Sequence, residues 1–182
     1  MIKNKKDYIN YLNMDKKALG INRRKPKIFG DEIWKWERLL RKCEYYKNTN
    51  KKLYYIYKFL FNKKSLQLGY SIPLNVFGGG LSIAHYGTIV VNSNAKIGKY
   101  CRIQECVTIG ATNGNSKAPI VGDNVFIGSG AKLIGDIEIG SNTAIGAGAV
   151  VIKSFKEGNC TLGGVPAKVI SNNTSANNLL IK

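Results

Sequence analysis

The chain is poor in the residues that hold metals and cross-links. It has one histidine, His85, and four cysteines, Cys43, Cys101, Cys106 and Cys160, in 182 residues. A lone histidine cannot build a multi-imidazole metal centre, and cysteines without CxxC spacing indicate neither a zinc site nor a disulfide framework. They read as small reduced fillers. Long apolar runs are missing too: the longest, Leu53 to Phe61, is interrupted by Lys58 and falls well short of the ~20 residues that a membrane-spanning helix needs. Lys3, Lys5, Lys6 and Asp7 break the stretch where a secretory leader would be apolar, so a cytoplasmic chain is expected.

Acidic residues are scarce, 11 against 28 Lys and Arg, for a formal charge of +17. The imbalance is uneven. Residues 1–69 hold 19 basic and 6 acidic residues, and residues 70–182 hold 9 and 5. Such a field could steer an anionic small molecule, a lipid-linked glycan, an acidic membrane surface or nucleic acid. Nucleic acid is the weakest of these, because no recognition motif accompanies the charge.

What is present is a six-residue period. From Ile97, steps of six reach Ile103, Ile109, Asn115, Val121, Ile127, Leu133, Ile139, Ile145 and Val151, so nine of ten positions are Ile, Leu or Val. Neither a helix nor a single strand has this period; a repeated supersecondary unit does. Glycine follows the aliphatic at Gly98, Gly110, Gly122, Gly128, Gly140 and Gly146, as in short strands ending in tight turns. The expectation is a mainly β fold, a parallel β-helix of three hexads per coil with one inward aliphatic per face. Residues 110–120 interrupt the pattern without losing its phase and are expected to leave the prism as an exposed loop. Ile83 and Ile89 are six apart but out of step with Ile97.

Residues 1–69 read as a basic α-helical extension, 70–170 as the β-helix and 171–182 as a polar, mobile tail. Helices are expected over 7–19, 31–47 and 51–68. The last interleaves Tyr54, Tyr55, Tyr57, Phe59 and Phe61 with five lysines. Such a helix is suited to a membrane surface, but the favoured expectation is that its aromatics cap the open end of the prism.

At GLSIAHYGTIVVNSNAKIG (80–98), VTIGATNG (107–114), VFIGSGAKLIGDIEIG (125–140), AIGAGAVV (144–151) and GGVPAKVI (163–170) the chain resembles the hexapeptide-repeat acyltransferases, which include serine O-acetyltransferases and enzymes acetylating capsular sugars. The resemblance implies a left-handed β-helix, a homotrimer and acetyl-CoA as acyl donor, with no metal. A γ-type carbonic anhydrase shares the architecture but needs three metal-binding histidines. The resemblance also assigns roles. His85, in AHYGTIVV, matches the catalytic base of the serine acetyltransferases, and imidazole is suited to taking a hydroxyl proton near neutral pH. Ser129, Gly130, Ala131, Ala147, Gly148, Ile152, Lys153 and Lys168 match or adjoin cofactor-groove positions, small residues leaving room for pantetheine and lysines meeting phosphates.

Two departures stand out. The acid that orients the family histidine is missing, with Ala84 before His85 and Tyr70, Ser71, Ile72, Pro73 in the upstream segment. A backbone carbonyl, Asn92 or Glu105 are the alternatives for fixing the ring. In the loop, Ala118 replaces a histidine that holds an amino-acid acceptor, leaving Lys117. Asn92, Glu105 and Lys117 are therefore candidate substrate contacts. The favoured reading is O-acetylation of a surface polysaccharide sugar; L-serine is the alternative acceptor, and a non-catalytic scaffold the alternative of another class.

Overall fold

The repeat closes into a three-sided prism with its sixth-position aliphatics inside. The computed structural model describes residues 1–112 and 116–180; Asn115 and Ile181 lie outside them. Three helices come first, α1 (Lys5–Ala18), α2 (Glu32–Thr49) and α3 (Lys51–Leu68). Strands β1 (Tyr70–Ser71), β2 (Ser82–Ile83) and β3 (Ile89–Val91) open the prism. β4 (Lys96–Ile97), β5 (Arg102–Ile103) and β6 (Thr108–Gly110) form the next coil. It is followed by β7 (Ile120–Val121), β8 (Phe126–Ile127) and β9 (Lys132–Ile134), then by β10 (Glu138–Ile139), β11 (Ala144–Ile145) and β12 (Val150–Val151). An antiparallel hairpin, β13 (Thr161–Gly164) and β14 (Ala167–Ser171), ends the stack.

Each face is one parallel sheet, in the orders β1-β3-β6-β9-β12, β4-β7-β10 and β2-β5-β8-β11-β13, with β14 added to the last. Inward side chains stack in register, Ile83 on Ile103 on Ile127 on Ile145 on Leu162. The nine aliphatics of the sixth-position series are 0–4% exposed, so the period was a core period. The glycines beside them have a more specific reason than a turn. A Cβ on Gly98 would sit 2.5 Å from the Gly122 carbonyl oxygen, and one on Gly122 2.6 Å from the Ser141 nitrogen. The coils approach too closely there for any side chain.

Two irregularities in the period have structural causes. Ile103 to Ile109 is six residues, but the equivalent step one coil earlier, Ile83 to Val91, is eight. The corner carrying His85 is two residues longer than the corner beneath it. Ile97 to Val121 likewise takes six residues more than the 18 between Val121 and Ile139, which is the excursion expected at 110–120.

The helices begin and end within two residues of expectation, but what they bury differs. A parallel β-helix leaves the N–H and C=O groups of its first coil without a neighbouring strand. Here side-chain charges meet them. Asp15 Oδ1 accepts from the amides of Gly80 and Leu81 at 2.8 and 2.9 Å, Glu44 Oε1 from Asn75 at 2.7 Å, and Glu37 Oε1 from Ile83 at 3.1 Å. Arg41 donates to the carbonyls of Phe77 and Gly78 at 3.0 and 2.6 Å and pairs with Asp15 and Glu44. All four side chains are buried, although sequence pattern puts Glu37 and Arg41 on the polar side of α2. Burial works against the Arg41 charge, yet Asp15 and Glu44 raise its pKa.

Aromatic capping accounts for only half of α3. Phe61 packs on Trp36, which meets Tyr70 edge-on at 5.0 Å, but Tyr55, Ile56, Phe59 and Leu66 face outward. The tail is not a free strand of chain. Ser175–Asn178 forms a turn of 3-10 helix, the Ser175 amide donates to the Asn142 carbonyl at 3.1 Å, and the Ser175 hydroxyl bonds the Asn124 carbonyl. Among the described residues no helix is long and apolar enough to cross a membrane.

Candidate active site

The site is built on one corner of the prism. β2, β5, β8 and β11 pair in register, Ser82 with Arg102, Arg102 with Phe126 and Phe126 with Ala144. Three residues further on, Glu105, Ser129 and Ala147 stack down the corner, and the longer turn above them carries His85, whose charge reaches the Glu105 carboxyl. The turn amides continue the stack: Gly130 donates to the Glu105 carbonyl at 2.9 Å and Gly148 to the Ser129 carbonyl at 2.8 Å. Gly130 and Gly148 have φ of 72° and 67°, a turn geometry that glycine adopts without strain.

His85 is exposed, not satisfied inside the wall. Its backbone is fixed instead, because Tyr70 donates its phenolic hydroxyl to the His85 carbonyl at 2.9 Å. Tyr70 thus occupies the upstream acid's place in the chain but holds the main chain, not the ring. Burial first, then Glu37 and Tyr86, push its phenol pKa up, so it stays a donor.

Glu105 is the acid beside His85. Ser129 Oγ donates to its Oε1 at 2.5 Å, while Oε2 is buried with no hydrogen-bond partner among the described residues. The Ser129 hydroxyl, then the backbone amide of Glu105 itself, hold this carboxyl below the usual range; desolvation opposes them and the nearby His85 charge lowers it further. Sequence left Glu105 as one alternative among three; only the coil register singles it out.

The other candidates divide. Ser129, Gly130, Ala147 and Gly148 share the His85 corner, and a Cβ on Gly148 would meet nothing within 4 Å. Lys168 is at the foot of the same column, opposite Gly163 in the closing hairpin. Ala131 is not in the groove. It is fully buried, with its N–H and C=O spent on Gly128 and Thr108, and its methyl fills the prism interior. Ile152 and Lys153 follow β12 at the far edge of the next face, exposed but away from the Ser129 corner. Asn92 is also at a different corner, its side-chain oxygen accepting from the Asn94 amide at 2.9 Å, so it cannot orient His85. Lys117 belongs to the loop corner, 2.8 Å from Asp136, and Ala118 is buried beside it. No cluster of potential metal ligands occurs among the described residues.

Residues 118–153 match the family described as bacterial transferase hexapeptide (six repeats). Serine acetyltransferase from Synechococcus elongatus is 39% identical over 64 residues, 34% of this chain and 26% of that protein. The chain thus spans about a quarter of the length of that relative. Among solved structures, a serine acetyltransferase complex with cysteine superimposes with a TM-score of 0.75 at 28% identity, over 94% of this chain and 69% of the other. A serine acetyltransferase complex with CoA gives 0.70 at 25%, over 91% and 71%. The shared fold is the left-handed β-helix. In its repeats, its fold and its local sequence the chain is thus similar to hexapeptide-repeat transferases, and the relatives and solved structures it resembles include serine acetyltransferases.

Proposed function

We propose that the protein transfers an acetyl group from acetyl-CoA to a hydroxyl, with His85 as general base. The observation that carries this is the corner itself, an exposed imidazole above a carboxylate that a neighbouring hydroxyl orients, continued downward by small residues. His85 takes the hydroxyl proton as the oxygen attacks the thioester carbonyl, and the bond to sulfur breaks as the tetrahedral intermediate collapses. The proton returns through the imidazole to the leaving thiolate. Glu105 acts as a positioning residue, steadying the ring and its positive charge. Backbone amides at the corner are suited to the oxyanion.

The donor side fits acetyl-CoA in part. Ser129, Gly130, Ala147 and Gly148 leave space for a pantetheine arm, and Lys168 offers charge for phosphate. Ile152 and Lys153 stand one face away, so all these residues can line one groove only if a second copy brings that edge to the Ser129 corner. A homotrimer with sites between neighbouring prisms would meet that need.

For the acceptor, the named relatives support L-serine over the sugar preferred from the loop sequence. A second reading keeps a sugar hydroxyl, because the buried Ala118 offers no group to hold an amino-acid carboxylate. Thiol release from acetyl-CoA, measured against L-serine and a panel of sugars, separates the two. His85→Ala should lower the rate by about 10²–10⁴; unchanged turnover removes the mechanism. If no acceptor releases thiol and CoA titration produces no heat, the protein is a scaffold.

A further inference from the structure

The outward face of α3 is exposed, with no partner among the described residues, and its chemistry is unusual for a solvated surface. Buried or half-buried positions recur at Tyr54, Tyr57, Phe61, Ser65 and Leu68, so one side of the helix is spent on the protein. The opposite side presents Lys52, Tyr55, Ile56, Phe59, Lys63 and Leu66 along its length, with Tyr55 70%, Phe59 68% and Leu66 84% exposed. These positions fall three or four apart, on one stripe. At 18 residues the helix is about 27 Å long, and it contains no acidic residue among its five lysines.

A second exposed apolar group is linked to the C-terminal half of α3. Ile28 and Phe29, 85% and 89% exposed, form the tip of the loop that carries Arg23, Arg24, Lys25 and Lys27. That tip is tied to α3 through charges. Lys35 donates to the Ile28 carbonyl at 2.6 Å and pairs with Glu32, and Glu32 pairs with Lys64 of α3. The acids of this region, Asp31 and Glu32, are engaged by Arg23, Lys35 and Lys64, leaving the surrounding field positive.

We propose that this face seats the protein on an anionic lipid bilayer, with Ile56, Phe59 and Leu66 entering the headgroup and acyl boundary and the lysines meeting the headgroups. Charge selects this occupant over a second copy of the chain. A two-fold contact through the stripe would press lysine rows against each other, with no carboxylate on either side to receive them. The apolar centre selects it over nucleic acid, whose phosphates would satisfy the lysines but not Ile56 or Leu66. Basic side chains around a shallow apolar stripe are what an interfacial helix requires.

The test is co-sedimentation of the full chain with vesicles of phosphatidylcholine, with and without one quarter phosphatidylglycerol. The protein should pellet with the anionic vesicles only, and 0.5 M NaCl should weaken the binding. Lys52→Gln/Lys63→Gln should weaken it about thirtyfold, and Phe59→Ser/Leu66→Ser should also release the protein while circular dichroism and native mass stay unchanged. His85→Ala should bind like the parent, so that a failure of the catalytic reading leaves this one standing. Absence of binding to anionic vesicles, or binding indifferent to both double variants, overturns the proposal. So does a fall in native mass in Phe59→Ser/Leu66→Ser, which would assign the face to another copy, and so does capture by single-stranded DNA in preference to vesicles.

Discussion

Ser129 Oγ lies 2.5 Å from Oε1 of Glu105, one coil below His85, and the other Glu105 oxygen is buried without a hydrogen-bond partner among the described residues. The carboxylate is therefore oriented by one atom and left available at the other, on the corner that carries the chain's single imidazole. Glu105→Gln keeps the shape and the Ser129 contact but removes the charge. It should lower kcat by roughly tenfold to a hundredfold, part of the 10²–10⁴ that a positioned base supplies, with KM for acetyl-CoA unchanged. Steady-state kinetics beside an unchanged circular dichroism spectrum separates this from a folding defect. An unaltered kcat would leave Glu105 a mere wall residue.

Glu37 gives the fold a pH dependence of its own. Desolvation, and next the charge of Asp15, raise its pKa well above 4.5, against the Ile83 amide and Arg41. A raised carboxyl binds its proton more tightly folded than unfolded. Its favourable contribution is complete below the unfolded value and is lost as pH rises through the folded one. Glu37→Gln, which cannot ionise, should gain on the parent in Tm as the pH is raised, with a difference at pH 8 larger than at pH 5 by about 2–4 °C for each 1 kcal/mol involved. Thermal unfolding of both proteins across that range is the measurement.

Close coil contact makes two similar glycines unequal. Neither Gly110 nor Gly122 has a positive φ, so alanine at either meets only a question of space. At Gly122 the added methyl would be 2.6 Å from the Ser141 backbone nitrogen, whereas at Gly110 its nearest neighbour is the Ile134 methyl end at 3.4 Å. Gly122→Ala should cost about 1–3 kcal/mol and Gly110→Ala well under 1 kcal/mol. Parallel denaturant titrations read the difference.

The prism was legible because its repeat is a one-dimensional pattern: residues that share a rung share a phase. Helix limits were legible for the same reason. Glu37 and Arg41 were not, since a charge between apolar neighbours signals a solvated face, and the groups that bury these two are first-coil amides and carbonyls that no pattern displays. The placement of Glu105 was hidden differently: it is twenty residues from His85, and the strand pairing of Ile83 with Ile103, which brings the two to one corner, is not displayed by the local pattern. Ala131 misled because smallness marks an inward position in a narrow prism as readily as a groove.

Asp15, Glu37, Arg41 and Glu44 occupy hydrogen-bonding positions that another coil would use, while at the opposite end the antiparallel β14 covers the edge of one face, that of β13. The first-coil end of the stack is therefore stoppered: those amides and carbonyls are not on offer to a stray strand. A mutation that unseats Arg41 would be felt first as polymerisation in crowded solution, before any loss of the prism itself.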